Sequence, residues 1–201
     1  DDSQYKINGI LRYEKIFGRG FISTGGVTTT KVICQKISKI ENTIYKFSLG
    51  NLGKINLQNG EKVLSVGCGI GGGEIYMNKN YGAIVHGIDL STNMFPLQGI
   101  TLEFGFAFSG CKIAGQKLTS CSLKNTKFSP TVARMRAEEA HVTSGVTFEH
   151  CNVLVKEFPE HSFDVIYSRD CIIHIREKAN LFERFFRWLK PGGRLVISGN
   201  K

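Results

Sequence analysis

The run Val63-Leu64-Ser65-Val66-Gly67-Cys68-Gly69-Ile70-Gly71-Gly72-Gly73 constrains the fold of this chain more than any other stretch. Val63 to Val66 form a short apolar run that reads as a buried strand. Five glycines follow within seven positions, and Glu74-Ile75-Tyr76-Met77 opens a helix. A strand, a glycine turn and a helix in that order bring backbone N–H groups at a helix N-terminus close to a ligand. Sixteen residues after Gly73, the run Ala83-Ile84-Val85-His86-Gly87-Ile88 ends in Asp89. An acid at the tip of the second strand is placed to hold a pair of ribose hydroxyls.

The rest of the chain repeats the alternation. Val146–Cys151 reads as a third strand, and Phe163–Ser168 as a fourth that ends in Arg169-Asp170. The stretch Leu181, Phe182, Phe185, Phe186, Trp188, Leu189 recurs at helical spacing, which marks core. Lys190-Pro191-Gly192-Gly193 is expected to end that helix, and Arg194–Ser198 to form a fifth strand. Alternating strands and helices give an open, mostly parallel, doubly wound α/β sheet with its ligand at the carboxyl edge. Gly67, Asp89, Asn152 and Arg169-Asp170 all follow strands and converge on that edge. Ahead of the sheet, apolar positions between Tyr5 and Phe17 recur at helical spacing and Gly18-Arg19-Gly20 stops the helix. A second short helix is expected from Thr28, so residues 1–34 read as an N-terminal helical arm or lid.

Two segments break the pattern. Residues 35–56 fit neither period, and residues 95–130 are Phe-, Ser- and Gly-rich without periodicity, until Val132–Ala140 resumes as helix. Long structureless insertions are uncommon inside a compact domain. They are expected to be either translated non-coding sequence or surface excursions. Each carries four lysines against one glutamate, so together they hold two thirds of the net charge of +9. The remainder is ordinary, which argues against a nucleic-acid partner. Six scattered cysteines without a C-x-x-C pair argue against zinc and for reduced thiols. No apolar run is long enough to span a bilayer, and the first residues do not read as a signal peptide. A cytoplasmic monomer is expected.

The glycine turn alone fits many α/β domains. Its form, V-G-C-G-x-G-G, resembles motif I of the class I S-adenosylmethionine (SAM) methyltransferases more than a dinucleotide fingerprint. A more specific resemblance lies in Gln4-Tyr5-Lys6, Gly9-Ile10-Leu11-Arg12-Tyr13-Glu14, Phe17-Gly18, Ser23-Thr24-Gly25-Gly26, Leu90-Ser91-Thr92-Asn93-Met94 and Ser168-Arg169-Asp170-Cys171-Ile172-Ile173-His174. Together these resemble the phosphoethanolamine N-methyltransferases, the plant, nematode and protozoan enzymes that lead to phosphocholine. The resemblance covers residues 4–33, 58–94 and 132–198.

It implies a Rossmann-like sheet, SAM as cofactor and a small phosphobase as substrate. Tyr5 and His174 would be the catalytic pair. Ser23, Gly67, Gly69, Asp89 and Leu90 would hold the cofactor, with Asn152 and Val153 at its adenine and Arg169 at the strand end. Gln4, Tyr13 and Asp170 would meet the substrate. The other four histidines, His86, His141, His150 and His161, show no partner pattern. The family carries an acid where Ser65 stands and an aspartate where Asn152 stands. Its last strands, substrate lobe and phosphate-binding side chains would lie beyond Lys201, which reads as C-terminal truncation. Two other readings stay open: a catalytically inactive SAM-binding fragment, and a methyltransferase for another small molecule.

Overall fold

The computed structural model describes residues 7–35, 56–91 and 132–198. The expectations for Gln4, Tyr5, Thr92–Met94 and nearly all of the two atypical segments lie outside them. The chain runs α1 (Ile7–Phe17), α2 (Gly26–Cys34), β1 (Lys62–Val66), α3 (Gly72–Tyr81), β2 (Ile84–Asp89), α4 (Val132–Glu139), β3 (Val146–His150) and β4 (Phe163–Arg169). A 3-10 turn at Ile172–His174, α5 (Lys178–Trp188) and β5 (Leu189–Ser198) complete it. The five strands form one sheet in the order β3-β2-β1-β4-β5. Every pairing is parallel, as expected where each strand is followed by a crossover.

The two-residue period of the strands sorts their side chains onto two faces. Val63, Val165 and Tyr167 pack with Ile33 and Cys34 of α2 and Met77 of α3. Their neighbours Leu64, Val66 and Ile166, with Ile88, pack with Leu181, Phe185 and Trp188 of α5. Both faces of the central strands are therefore covered, which is why β1 reads as an almost unbroken apolar run. Each large side chain buried this way contributes about 1.5–3 kcal/mol. Trp188 also meets Phe158 edge-on at 5.1 Å between ring centroids. A third cluster joins Ile10 of α1 to Ile70, Phe148 and the small Ala133 and Ala137 of α4.

Three details depart from the sequence expectation. Helix α2 begins at Gly26 rather than Thr28, because Gly25 takes a left-handed φ of 81° and turns the chain into the helix early. Strand β5 begins at Leu189, directly after α5. Leu189 pairs with Phe163 and Arg194 with Val165, so Lys190-Pro191-Gly192-Gly193 is accommodated as a bulge inside the strand. The Lys190 ammonium holds both oxygens of Asp164 at 2.7 and 2.8 Å across that bulge. Phe186, on the aromatic helix, is 62% exposed and stands outside the core.

Strand order reverses on either side of β1, where the chain first builds outward through β2 and β3 and then returns to β4. At that switch point the crossovers leave a crevice at the carboxyl ends of the strands.

Candidate active site

A cleft of about 990 Å³ opens there. Its floor is the glycine turn. Gly67, Gly69 and Gly71 have φ of 78°, 55° and 86°, the left-handed region that glycine adopts at little cost. Close approach also demands them: a Cβ on Gly67 would lie 2.4 Å from the Cβ of Cys171, and one on Gly71 2.6 Å from the ring of Phe148. The turn is pinned by the N–H groups of Gly67 and Cys68, which both donate to the carbonyl of Ile88.

Asp89 closes one end. Its Oδ2 accepts from the Gly69 N–H at 2.8 Å and its Oδ1 from the Ser91 N–H at 2.8 Å. Burial pushes its carboxyl above the usual value, and these two bonds pull the other way. Each oxygen keeps a lone pair for a hydroxyl. Leu90, Asn152 and Val153 line the same end. The Asn152 amide oxygen accepts from the Leu154 N–H at 2.9 Å, which closes a local turn and occupies one of its lone pairs.

The other side is built from β4 and the arm. Tyr13, Ser23, Arg169, Asp170 and His174 all line the cleft. Asp170 has a φ of 55° and donates its N–H to the carbonyl of Ser198, so a rarely adopted backbone state turns its side chain out at the strand end. His174 sits exposed on the 3-10 turn, its N–H bonded to the carbonyl of Cys171. Arg169 is 7% exposed and spends its guanidinium on the arm: Nη1 donates to Thr30 and to the carbonyl of Gly26, Nη2 to the carbonyl of Thr24. Arg169 thus lines the cleft and also fastens α2 to the sheet.

The arm reaches the glycine turn directly. The Gly72 N–H, one of the free donors at the start of α3, donates to the carbonyl of Gly20 at 2.9 Å. Glu14 of α1 accepts from the Gly20 N–H at 2.8 Å and from Arg136 of α4 at 2.9 Å.

Sequence reasoning missed Glu74. It lies 2% exposed on the first turn of α3, in the cleft wall, and accepts from Ser65 Oγ at 2.5 Å. A carboxylate therefore stands beside Ser65 after all, delivered from the next element. The signal was a single acid in a glycine and apolar run. Three thiols also line the cleft. Burial pushes Cys151 up to about 11 and Cys171 up to about 12, and Cys68 well above its ordinary value. Burial thus holds these three toward the protonated, less nucleophilic thiol. No group of three metal-ligating side chains occurs among the described residues.

A family model described as "Methyltransferase domain" matches residues 41–199. The chain belongs to the methyltransferase domain family. Among the relatives of this methyltransferase domain is phosphoethanolamine N-methyltransferase 1 of Zea mays, 42% identical over 198 residues, which cover 98% of this chain and 28% of the relative. The Plasmodium falciparum phosphoethanolamine N-methyltransferase is 32% identical, with 98% of this chain and 54% of the relative covered. The structure of Haemonchus contortus phosphoethanolamine N-methyltransferase 2, with phosphomonomethylethanolamine and S-adenosylhomocysteine, superposes with a TM-score of 0.68 at 32% identity. The match covers 98% of this chain and 34% of that one. The chain thus spans between about a quarter and about half the length of these relatives. The fold is the Rossmann-like methyltransferase fold.

Proposed function

We propose that this chain is the SAM-binding part of an N-methyltransferase that converts phosphoethanolamine, or its mono- and dimethyl forms, toward phosphocholine. The observation that carries the reading is the extent of the likeness. Identities of 31–42% to phosphoethanolamine N-methyltransferases cover 98% of the chain, so they include the arm as well as the glycine turn. A methyltransferase of Streptomyces halstedii, 24% identical, covers only 72%.

The residues fit the cofactor. Left-handed glycines leave the floor free of side chains, and Asp89 offers lone pairs to a diol beside the apolar Leu90 and Val153. SAM supplies an electrophilic methyl on a sulfonium. In-line displacement by an amine then requires alignment and a neutral nitrogen. In this reading Tyr5 takes the amine's proton or stabilises its charge, His174 orients Tyr5, Asp170 helps bind the amine, and Gln4 contacts the substrate. Tyr13 and Ser23 cover the site from the arm. No helix among the described residues is long and apolar enough to cross a membrane, and the reading places the enzyme in the cytoplasm as a monomer.

Calorimetric titration with S-adenosylhomocysteine, beside Asp89→Ala, is the first test. The chain is expected to bind and the variant to lose at least roughly tenfold in affinity, as expected for a charge-assisted bond removed from a buried site. Methyl transfer to phosphoethanolamine is then followed with labelled SAM, and His174→Ala should abolish it while binding persists. Binding without transfer to any of the three phosphobases would leave a cofactor-binding fragment; no binding by a folded chain would overturn the reading.

A further inference from the structure

Glu74 is the carboxylate in the cleft wall that is left incompletely satisfied; the Ser91 hydroxyl, also in that wall, is neutral. Its Oε1 is held by Ser65, but its Oε2 is buried and has no hydrogen-bond partner among the described residues. Leaving a carboxylate oxygen buried without a partner costs several kcal/mol, and native folds keep such groups where something else completes them. The neighbouring cation, Arg169, directs its hydrogen bonds to Gly26, Thr30 and Thr24 instead.

We propose that Glu74 receives the primary ammonium at the amino-acid end of the cofactor, with Ser65 as the residue that orients it. The proposal rests on the SAM reading above. Two carboxylates flank the glycine turn, and they differ in kind. Asp89 has a backbone donor on each oxygen and suits neutral hydroxyls. Glu74, on the first turn of α3, lines the same cleft with one whole oxygen unspent. A ligand with a diol at one end and an ammonium at the other satisfies both. A metal ion does not, since no cluster of three ligating side chains is present among the described residues.

The test compares two ligands on the intact chain. S-adenosylhomocysteine has the amino-acid end; 5′-methylthioadenosine keeps the nucleoside and thioether and lacks it. Glu74→Gln is expected to weaken S-adenosylhomocysteine by roughly tenfold or more, the usual loss for a charged hydrogen bond, and to leave methylthioadenosine within about twofold. Glu74→Gln combined with Ser65→Asp returns a carboxylate to the same wall and should recover most of the lost affinity. Equal losses for both ligands, or none, would overturn the proposal and make Glu74 structural. If the parent chain binds both ligands equally, the ammonium subsite falls and the cofactor reading stands. If it binds neither, the cofactor reading falls first. Should the variant unfold, the parent alone decides. The preference for S-adenosylhomocysteine should grow as pH rises through about 7, where Glu74 ionises among Asp89, Arg169, Tyr167, Cys34 and Cys68. A preference flat in pH would overturn it.

Discussion

Burial acts on the two carboxylates of the glycine turn in the same direction and leaves different traces. Desolvation pushes Glu74 from 4.5 up to about 7, against the pull of the Ser65 hydroxyl. A folded carboxyl that is harder to ionise than the unfolded one binds more protons, so stability falls as pH rises. The loss begins near 4.5, the ordinary value, and is complete above about 7. It amounts to ~3 kcal/mol for a shift of that size. Glu74→Gln removes the titrating group. Denaturation of parent and variant across pH 4 to 8 should therefore show the variant gaining on the parent as pH rises, and a constant difference would show that Glu74 does not titrate there. Asp89 was legible in the sequence because it ends an apolar strand, where a carboxylate has one place to point. Glu74 was not, because an acid on the first turn of a helix ordinarily faces water and complements the helix dipole. Only the tertiary position of Ser65 beneath it turns it inward.

At the scale of elements, the alternation of strand and helix was readable because the sheet is buried on both faces, so Val63 to Val66 and Phe163 to Ser168 stand out as short, mostly apolar runs between helices. The start of β5 was not. Pro191, Gly192 and Gly193 are the chemistry of a helix stop, and only the pairing of Leu189 with Phe163 shows that the strand absorbs them. The coupling of the arm to the glycine turn was equally hidden, since it is made by backbone atoms. The Gly20 carbonyl caps α3, and a Cβ on Gly72 would lie 2.2 Å from that carbonyl oxygen. Gly72→Ala should stabilise α3 by its helix propensity, by up to about 1 kcal/mol, yet push the arm off. Arg136→Ala should release the same arm by stranding Glu14, which is 10% exposed, at a cost of about 2 kcal/mol. Arg19→Ala breaks a pair whose arginine is 71% exposed and should change little. Limited proteolysis near residues 18–25 measures all three. Rapid cleavage in the first two variants and not in the third is expected; equal rates in all would show that the arm is held instead by Arg169 and the apolar contacts of Ile10.

At the scale of the whole molecule, the described residues already close a sheet, cover both its faces and shape a cleft. Residues 95–130 lie between β2 and α4 and residues 35–56 between α2 and β1, and both fall within the 98% of the chain that the phosphoethanolamine N-methyltransferases match. Their lysine excess supplies two thirds of the net charge of +9. If the fold draws its stability from the three apolar clusters, a chain in which residues 95–130 are replaced by a flexible linker long enough to join β2 to α4 should keep its far-UV circular dichroism. It should also bind S-adenosylhomocysteine within about threefold of the parent, since loop length costs only about 0.6 kcal/mol per doubling. Its weaker dependence on salt would follow from the lost charge. Loss of both spectrum and binding would mean that this segment supplies a packed element of the domain, and that its aperiodic composition conceals structure the two periods cannot detect.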